Sequence, residues 1–132
     1  MAAPKRTDDI FVDSYGVTIH YHRWSPRGKP RAMIQLVHGL GEHALRYDGL
    51  VTRLVKEGFE VWANEHRGHG ATGLEQWEGD YSKLGKLGPG GIPAAVAVVR
   101  AFTDIIRGER PGVPLYFLGH SGGAVVGQLI LN

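Results

Sequence analysis

Five residues late in the chain, Gly119-His120-Ser121-Gly122-Gly123, follow an apolar run and lead into a stretch of small and aliphatic residues. Glycine, any residue, serine, any residue, glycine suits a sharp strand-to-helix bend that lifts a serine hydroxyl above a parallel sheet. A serine held there can attack an acyl carbon if a base takes its proton and two N–H groups hold the oxyanion. The backbone of such a bend is strained and crowded, and Gly119 and Gly123 relieve the crowding by lacking side chains. A helix starting at Gly122 aims N–H groups and its positive dipole end at the serine. Chance is the competing reading in a chain with 20 glycines; the position between an apolar run and a helix start argues against it.

A second string, His38-Gly39-Leu40-Gly41-Glu42-His43, follows an earlier apolar run. Acyl transfer needs one donor from the residue after the nucleophile and another from a loop after an earlier strand. Gly122 and Leu40 stand at those two places, with His38, Gly39 and Gly41 shaping the loop and Gly119, His120 and Gly123 shaping the bend. An ordinary glycine turn into a helix is the alternative, and the pairing with the serine bend favours the donor reading.

These loops need a scaffold, and the hydrophobic pattern supplies one. Residues 10–12 and 17–24 flank a Ser14-Tyr15-Gly16 turn and predict an antiparallel hairpin, with His20 and His22 on its wet face. Residues 32–37 are apolar except for Gln35, as expected of a strand covered on both sides. Tyr47, Leu50, Val51, Leu54 and Val55 have helical spacing, and Gly58 stops that helix before a second buried strand at 59–63. Residues 64–93 read as a long irregular loop in which His66 and His69 brace a turn. Ala95, Val98, Val99, Phe102, Ile105 and Ile106 mark one face of a helix over 94–106, closed by Gly108 and Pro111. A third buried strand at 115–118 precedes the serine bend. Successive βαβ units predict a three-layer α/β fold with a mostly parallel sheet behind the hairpin.

Composition removes several kinds of chemistry. The 132 residues are 42% hydrophobic and 21% charged, enough to build one core. No cysteine is present, so disulfides, thiolate metal sites and cysteine nucleophiles are excluded. The seven histidines form no metal-ligand spacing, and Gly85 to Gly91 lacks the G-x-x-x-x-G-K-[ST] spacing and the preceding strand of a phosphate loop, so no metal or cofactor is expected. The net charge of +2 is scattered, which argues against nucleic acid and leaves at most weak contact with an anionic lipid surface. Met1 to Asp9 has no apolar centre and no stretch reaches the roughly 20 residues of a membrane span, so a cytoplasmic protein is the expectation.

His38-Gly39-Leu40-Gly41-Glu42-His43 with Arg46-Tyr47 resembles the HGxGEHxxRY signature of monoacylglycerol lipases and bacterial lysophospholipases, a serine aminopeptidase S33-like branch of the α/β-hydrolase superfamily. Asn64-Glu65-His66-Arg67-Gly68-His69-Gly70 is similar to that branch's DHRGHG turn, and residues 119–123 match its GHSxG bend. Glu65 replaces the usual aspartate, and Gly122 replaces a commonly larger residue. The resemblance implies that residues 1–132 are the N-terminal half of an α/β-hydrolase domain, ending after the nucleophile bend. It implies Ser121 as nucleophile, Leu40 and Gly122 as oxyanion donors, and a small acyl-glycerol or lysophospholipid ester as substrate. The family's acid and base belong to later strands and are not in these residues, so the chain alone is expected to be nearly inactive. His43, on the same end of the sheet as Ser121, belongs to the oxyanion loop in the family. The rival expectation is a non-catalytic module. In the family the strand at 115–118 is interior, so here its edge is open to self-association.

Overall fold

The computed structural model describes residues 5–131. Met1 to Pro4 lie outside the described residues, and with them the start of the segment that reads as lacking a secretion signal. Five strands form one mixed sheet in the order β1-β2-β4-β3-β5. They are β1 (Lys5–Val12), β2 (Thr18–Ser25), β3 (Ala32–Val37), β4 (Phe59–Asn64) and β5 (Leu115–Gly119). The hairpin joins β4 antiparallel through β2, whereas β3 runs parallel to both β4 and β5.

Alternation along the parallel strands divides the core into two layers. Ile34, Leu36, Val61 and Ala63 point to one face, where helix α1 (Asp48–Lys56) brings Val51 and Val55. Met33 and Trp62 point to the other, where helix α3 (Gly91–Glu109) brings Phe102 and Ile106. Gln35 is fully buried because it pins α3: its amide donates to the Val99 carbonyl at 3.1 Å, and its oxygen accepts from Thr103 at 2.7 Å. Helix α4 (Gly122–Leu131) packs beside α3 and against β5. This is the three-layer arrangement that the apolar runs predict.

Several local expectations need correction. Strand β1 begins at Lys5 rather than at residue 10, because an exposed edge strand carries no alternation to reveal it. His22 does not face solvent. It is buried between Asp8 Oδ1 at 2.7 Å and Glu65 Oε1 at 3.0 Å, while His20 is half-buried and meets Glu75 at 3.3 Å. Leu50 is exposed, so the buried stripe of α1 is narrower than its spacing suggests. The span 64–93 is not wholly irregular: it holds helix α2 (Gly70–Gln76) and a short 3-10 turn at Tyr81–Lys83. Side-chain bonds to nearby backbone hold α2 where propensity would not: Thr72 donates to the Glu65 carbonyl, and Gln76 accepts the Gly68 N–H. Helix α3 passes through Gly108 to Glu109. Strand β5 is half-exposed, not buried, since β3 is its one partner among the described residues. No described helix is long and apolar enough to cross a membrane.

Candidate active site

The three motifs converge where the parallel strands β3, β4 and β5 end, the side of an open α/β sheet at which ligands bind. Ser121 has φ +55°, left-handed backbone that among the described non-glycine residues it shares with Glu78 alone. Such strain persists only when the surroundings enforce it. Here they do. A Cβ on Gly123 would lie 2.1 Å from the Val37 carbonyl oxygen, and one on Gly119 would lie 2.7 Å from the Ala124 nitrogen. Helix α4 therefore starts in direct backbone contact with the end of β3.

The loop after β3 rests on that bend. A Cβ on Gly39 would sit 3.3 Å from Ser121 Cβ and 3.1 Å from the His120 carbonyl oxygen. A Cβ on Gly122 would sit 3.3 Å from the Leu40 nitrogen, so the Leu40 and Gly122 main chains are neighbours. Neither N–H donates to a protein acceptor among the described residues. Ser121 is exposed and its hydroxyl has no hydrogen-bond partner among them either. The arrangement can present one nucleophilic oxygen beside two free amides.

Beneath the loop lies a set of buried imidazoles. His38 is fully buried, with Nδ1 donating to the Gly39 carbonyl at 2.7 Å and Nε2 accepting the His66 N–H at 3.0 Å. His66 Nε2 donates to the His38 carbonyl at 2.7 Å, and His69 Nε2 accepts the Gly41 N–H at 2.9 Å. Accepting through Nε2 requires a neutral His38 ring. Burial pushes His38 below its usual range and His66 down to about 3. His69 braces its turn as expected from sequence, Nδ1 donating to the Arg67 carbonyl at 2.9 Å, whereas the His66 ring bonds outside the turn; both hold the loop at 38–41. Glu65 accepts from His22 and from the Ala44 N–H at 3.0 Å. Burial opposes its ionisation, yet these bonds keep its carboxyl below the ordinary value. A Cβ on Gly70 would lie 2.6 Å from Glu65 Oε2, so the longer acid fits because that neighbour is glycine.

Glu42 and Tyr47 stand out in the structure although sequence reasoning assigned them no role. Glu42 Oε1 accepts the Gly39 N–H at 2.5 Å and the Tyr47 hydroxyl, and Arg46 donates to Oε2 at 2.9 Å. Burial works against the Glu42 charge, but these donors hold the carboxyl at about 2. Burial and the adjacent carboxylate push the Tyr47 phenol up to about 12. Their places in the HGxGEHxxRY string were the available signal. His43 is exposed, and its imidazole has no partner among the described residues. No three acidic or histidine side chains gather as a metal site among the described residues. An apolar cavity of about 160 Å³ opens beside the two amides, lined in part by Leu40, Leu87, Ile92, Ala95 and Val125.

This fold and this bend belong to the α/β-hydrolases, and residues 28–132 match the family model described as serine aminopeptidase, S33. The chain is a member of that family. It is 35% identical over 128 residues to a monoacylglycerol lipase of Mycolicibacterium smegmatis, covering 96% of this chain and 42% of that protein. It is 34% identical over 115 residues to human monoglyceride lipase, covering 86% and 35% of the two. A thermostable carboxyl esterase from Bacillus coagulans, solved with glycerol, superposes with a TM-score of 0.84 at 27% identity, over 98% of this chain and 40% of that one. The chain thus spans about two-fifths of the length of these relatives.

Proposed function

We propose that the chain carries the nucleophile and oxyanion-binding part of a serine ester hydrolase acting on acyl-glycerol or lysophospholipid-type esters. Ser121 Oγ attacks the ester carbonyl carbon, and the Leu40 and Gly122 amides hold the resulting oxyanion. Collapse of the tetrahedral species expels the alcohol and leaves an acyl-serine, which water then cleaves. The left-handed Ser121 beside two unpartnered amides carries this reading. The lipase names of its relatives support the substrate class. The cavity beside the amides is close to the roughly 150 Å³ of an apolar cavity known to stay dry and admit benzene, a size that suits part of an acyl chain.

No base is bonded to Ser121 among the described residues, so the 132 residues by themselves are expected to turn over poorly. Catalysis without triad partners still reaches about 10³–10⁴-fold over water through the oxyanion site and binding. A fluorophosphonate should therefore label the chain slowly at Ser121, with loss of fluoride, while turnover of p-nitrophenyl esters stays near background. Mass spectrometry of the labelled peptide and its absence in Ser121→Ala check this. Equal labelling of that variant would remove the nucleophile assignment.

A second reading, self-association through β5, has its own observation. That strand pairs with β3 alone among the described residues, and Tyr116 is 60% exposed. Open, flat, apolar edges template pairing with further strands. Light scattering is expected to give a mass above the 14.4 kDa of one chain; a monomer at high concentration would count against it.

A further inference from the structure

We infer that Tyr47 and Glu42 form a clamp that positions the oxyanion loop against the nucleophile bend, with His120 as the point where the clamp grips the bend. The inference rests on the proposed roles of Ser121, Leu40 and Gly122, and assigns Tyr47 and Glu42 as positioning residues rather than catalytic ones.

The geometry centres on one carboxylate oxygen. Glu42 Oε1 takes the Gly39 N–H at 2.5 Å, takes the Tyr47 hydroxyl proton, and lies 3.6 Å from His120 Nδ1. Tyr47 has a single proton and gives it to Glu42. The 3.0 Å contact between its oxygen and His120 Nδ1 therefore has the imidazole as donor. A continuous chain of hydrogen bonds thus runs from His120 through Tyr47 and Glu42 to Gly39. Its two ends immediately precede Ser121 and Leu40 in sequence. The Tyr47 and His120 rings meet edge to face, with centroids 6.2 Å apart.

Each end sits where a small displacement matters. Gly39 is packed so closely on the bend that a Cβ there would lie 3.1 Å from the His120 carbonyl oxygen. The carboxylate engages the Gly39 N–H and so fixes the His38–Gly39 peptide, one step ahead of the peptide that carries the Leu40 N–H, and it leaves that N–H free. Glu42 can do this because its side chain is only 6% exposed, so little water competes for the oxygen. His120 is 67% exposed, so its ring is not fixed by burial, and Tyr47 supplies the restraint. Arg46, on the outer oxygen, is 68% exposed and adds a charge partner in solvent.

Tyr47→Phe removes one oxygen and leaves the ring, which makes it the decisive variant. Errors of about 1 Å in a reacting group cost about 10²-fold, so a loosened loop is expected to slow fluorophosphonate labelling of Ser121 about tenfold. Chemical shifts of the Leu40, Gly122 and Gly39 amides in ¹H–¹⁵N spectra should move with it, while the thermal midpoint shifts little. If Tyr47 acts through His120, combining Tyr47→Phe with His120→Ala should be no slower than the slower single change. Wild-type labelling and unmoved amides in Tyr47→Phe, or fully additive effects in the double variant, would overturn the clamp. Absence of any Ser121 labelling in the wild-type chain would instead sink the nucleophile reading, and the amide shifts would then decide the clamp alone.

Discussion

Gly123→Ala is expected to take down the nucleophile bend and much of the chain's stability with it. The added Cβ would fall 2.1 Å from the Val37 carbonyl oxygen and 2.8 Å from that of His38, backbone atoms that no rotamer change can move. The same Val37 carbonyl accepts the His120 N–H at 3.2 Å, so relieving the clash means pulling α4 from β3 and losing that bond. Overpacking usually costs about 1–3 kcal/mol, and a backbone collision of this depth belongs at or above the top of that range. Urea unfolding of the variant should show the loss, and labelling at Ser121 should disappear. Gly49→Ala is the matched control. It lies inside α1 with nothing within 4 Å of the new methyl, and is expected to gain about 0.5–1 kcal/mol. Similar stability for the two variants would contradict the close approach of helix and strand.

That contact explains why the bend was legible before any coordinates. Gly119 is demanded by backbone at 123 and 124, close in sequence, and Gly123 by the Val37 and His38 carbonyls, far away in sequence; in both cases backbone crowding leaves its mark as residue type. The parallel strands were legible too, because β3 and β4 are covered on both faces and their apolar runs say so. Leu40 and Gly122 could be paired from their places after two strands, and their main chains are indeed adjacent.

What escaped was whatever depends on particular side-chain partners, which periodicity does not report. His22 sits on a strand that alternates like one with a wet face, yet Asp8 and Glu65 close over it; a buried polar residue is invisible to periodicity when its partners are 14 and 43 residues away. Helix α2 carries two glycines in seven residues and no apolar stripe, and is held by Thr72 and Gln76 side chains bonding to neighbouring backbone. Glu42 and Tyr47 were quoted as parts of a string, but only three-dimensional contact shows one oxygen serving Gly39 and Tyr47 together. The half-exposed β5 depends on which strands lie beside it, and no local pattern reports that.

The buried imidazoles make stability fall steeply on acidification. His66 has an ordinary value of 6.5 and is lowered to about 3 by burial, so between those limits the unfolded chain binds a proton that the folded chain refuses. Stability rises with pH wherever the unfolded state holds more protons, so it must drop as the pH falls from 6.5 toward 3. One such histidine contributes up to about 1.4 kcal/mol per pH unit. His38, lowered by the same burial, acts in the same direction. Below about 4.5 the carboxylates join in. Glu42, Glu65 and Glu60, the last buried on β4 against Arg110 and Arg23, have lowered values, so the stability they give above 4.5 is lost as they are protonated. His22 works on the other side: its bonds to Glu65 and Asp8 outweigh burial and raise it above 6.5, so its contribution is complete in acid and fades as the pH climbs through the raised value. Opposed slopes of this kind place the maximum near neutrality. Urea midpoints should decline from pH 6.5 to 5, before most carboxylates titrate, and His66→Asn should flatten that limb. A midpoint unchanged between pH 7 and 5 would mean that these rings take up protons in the folded chain as freely as in the unfolded one, and that the loop presenting Leu40 does not rest on neutral histidines.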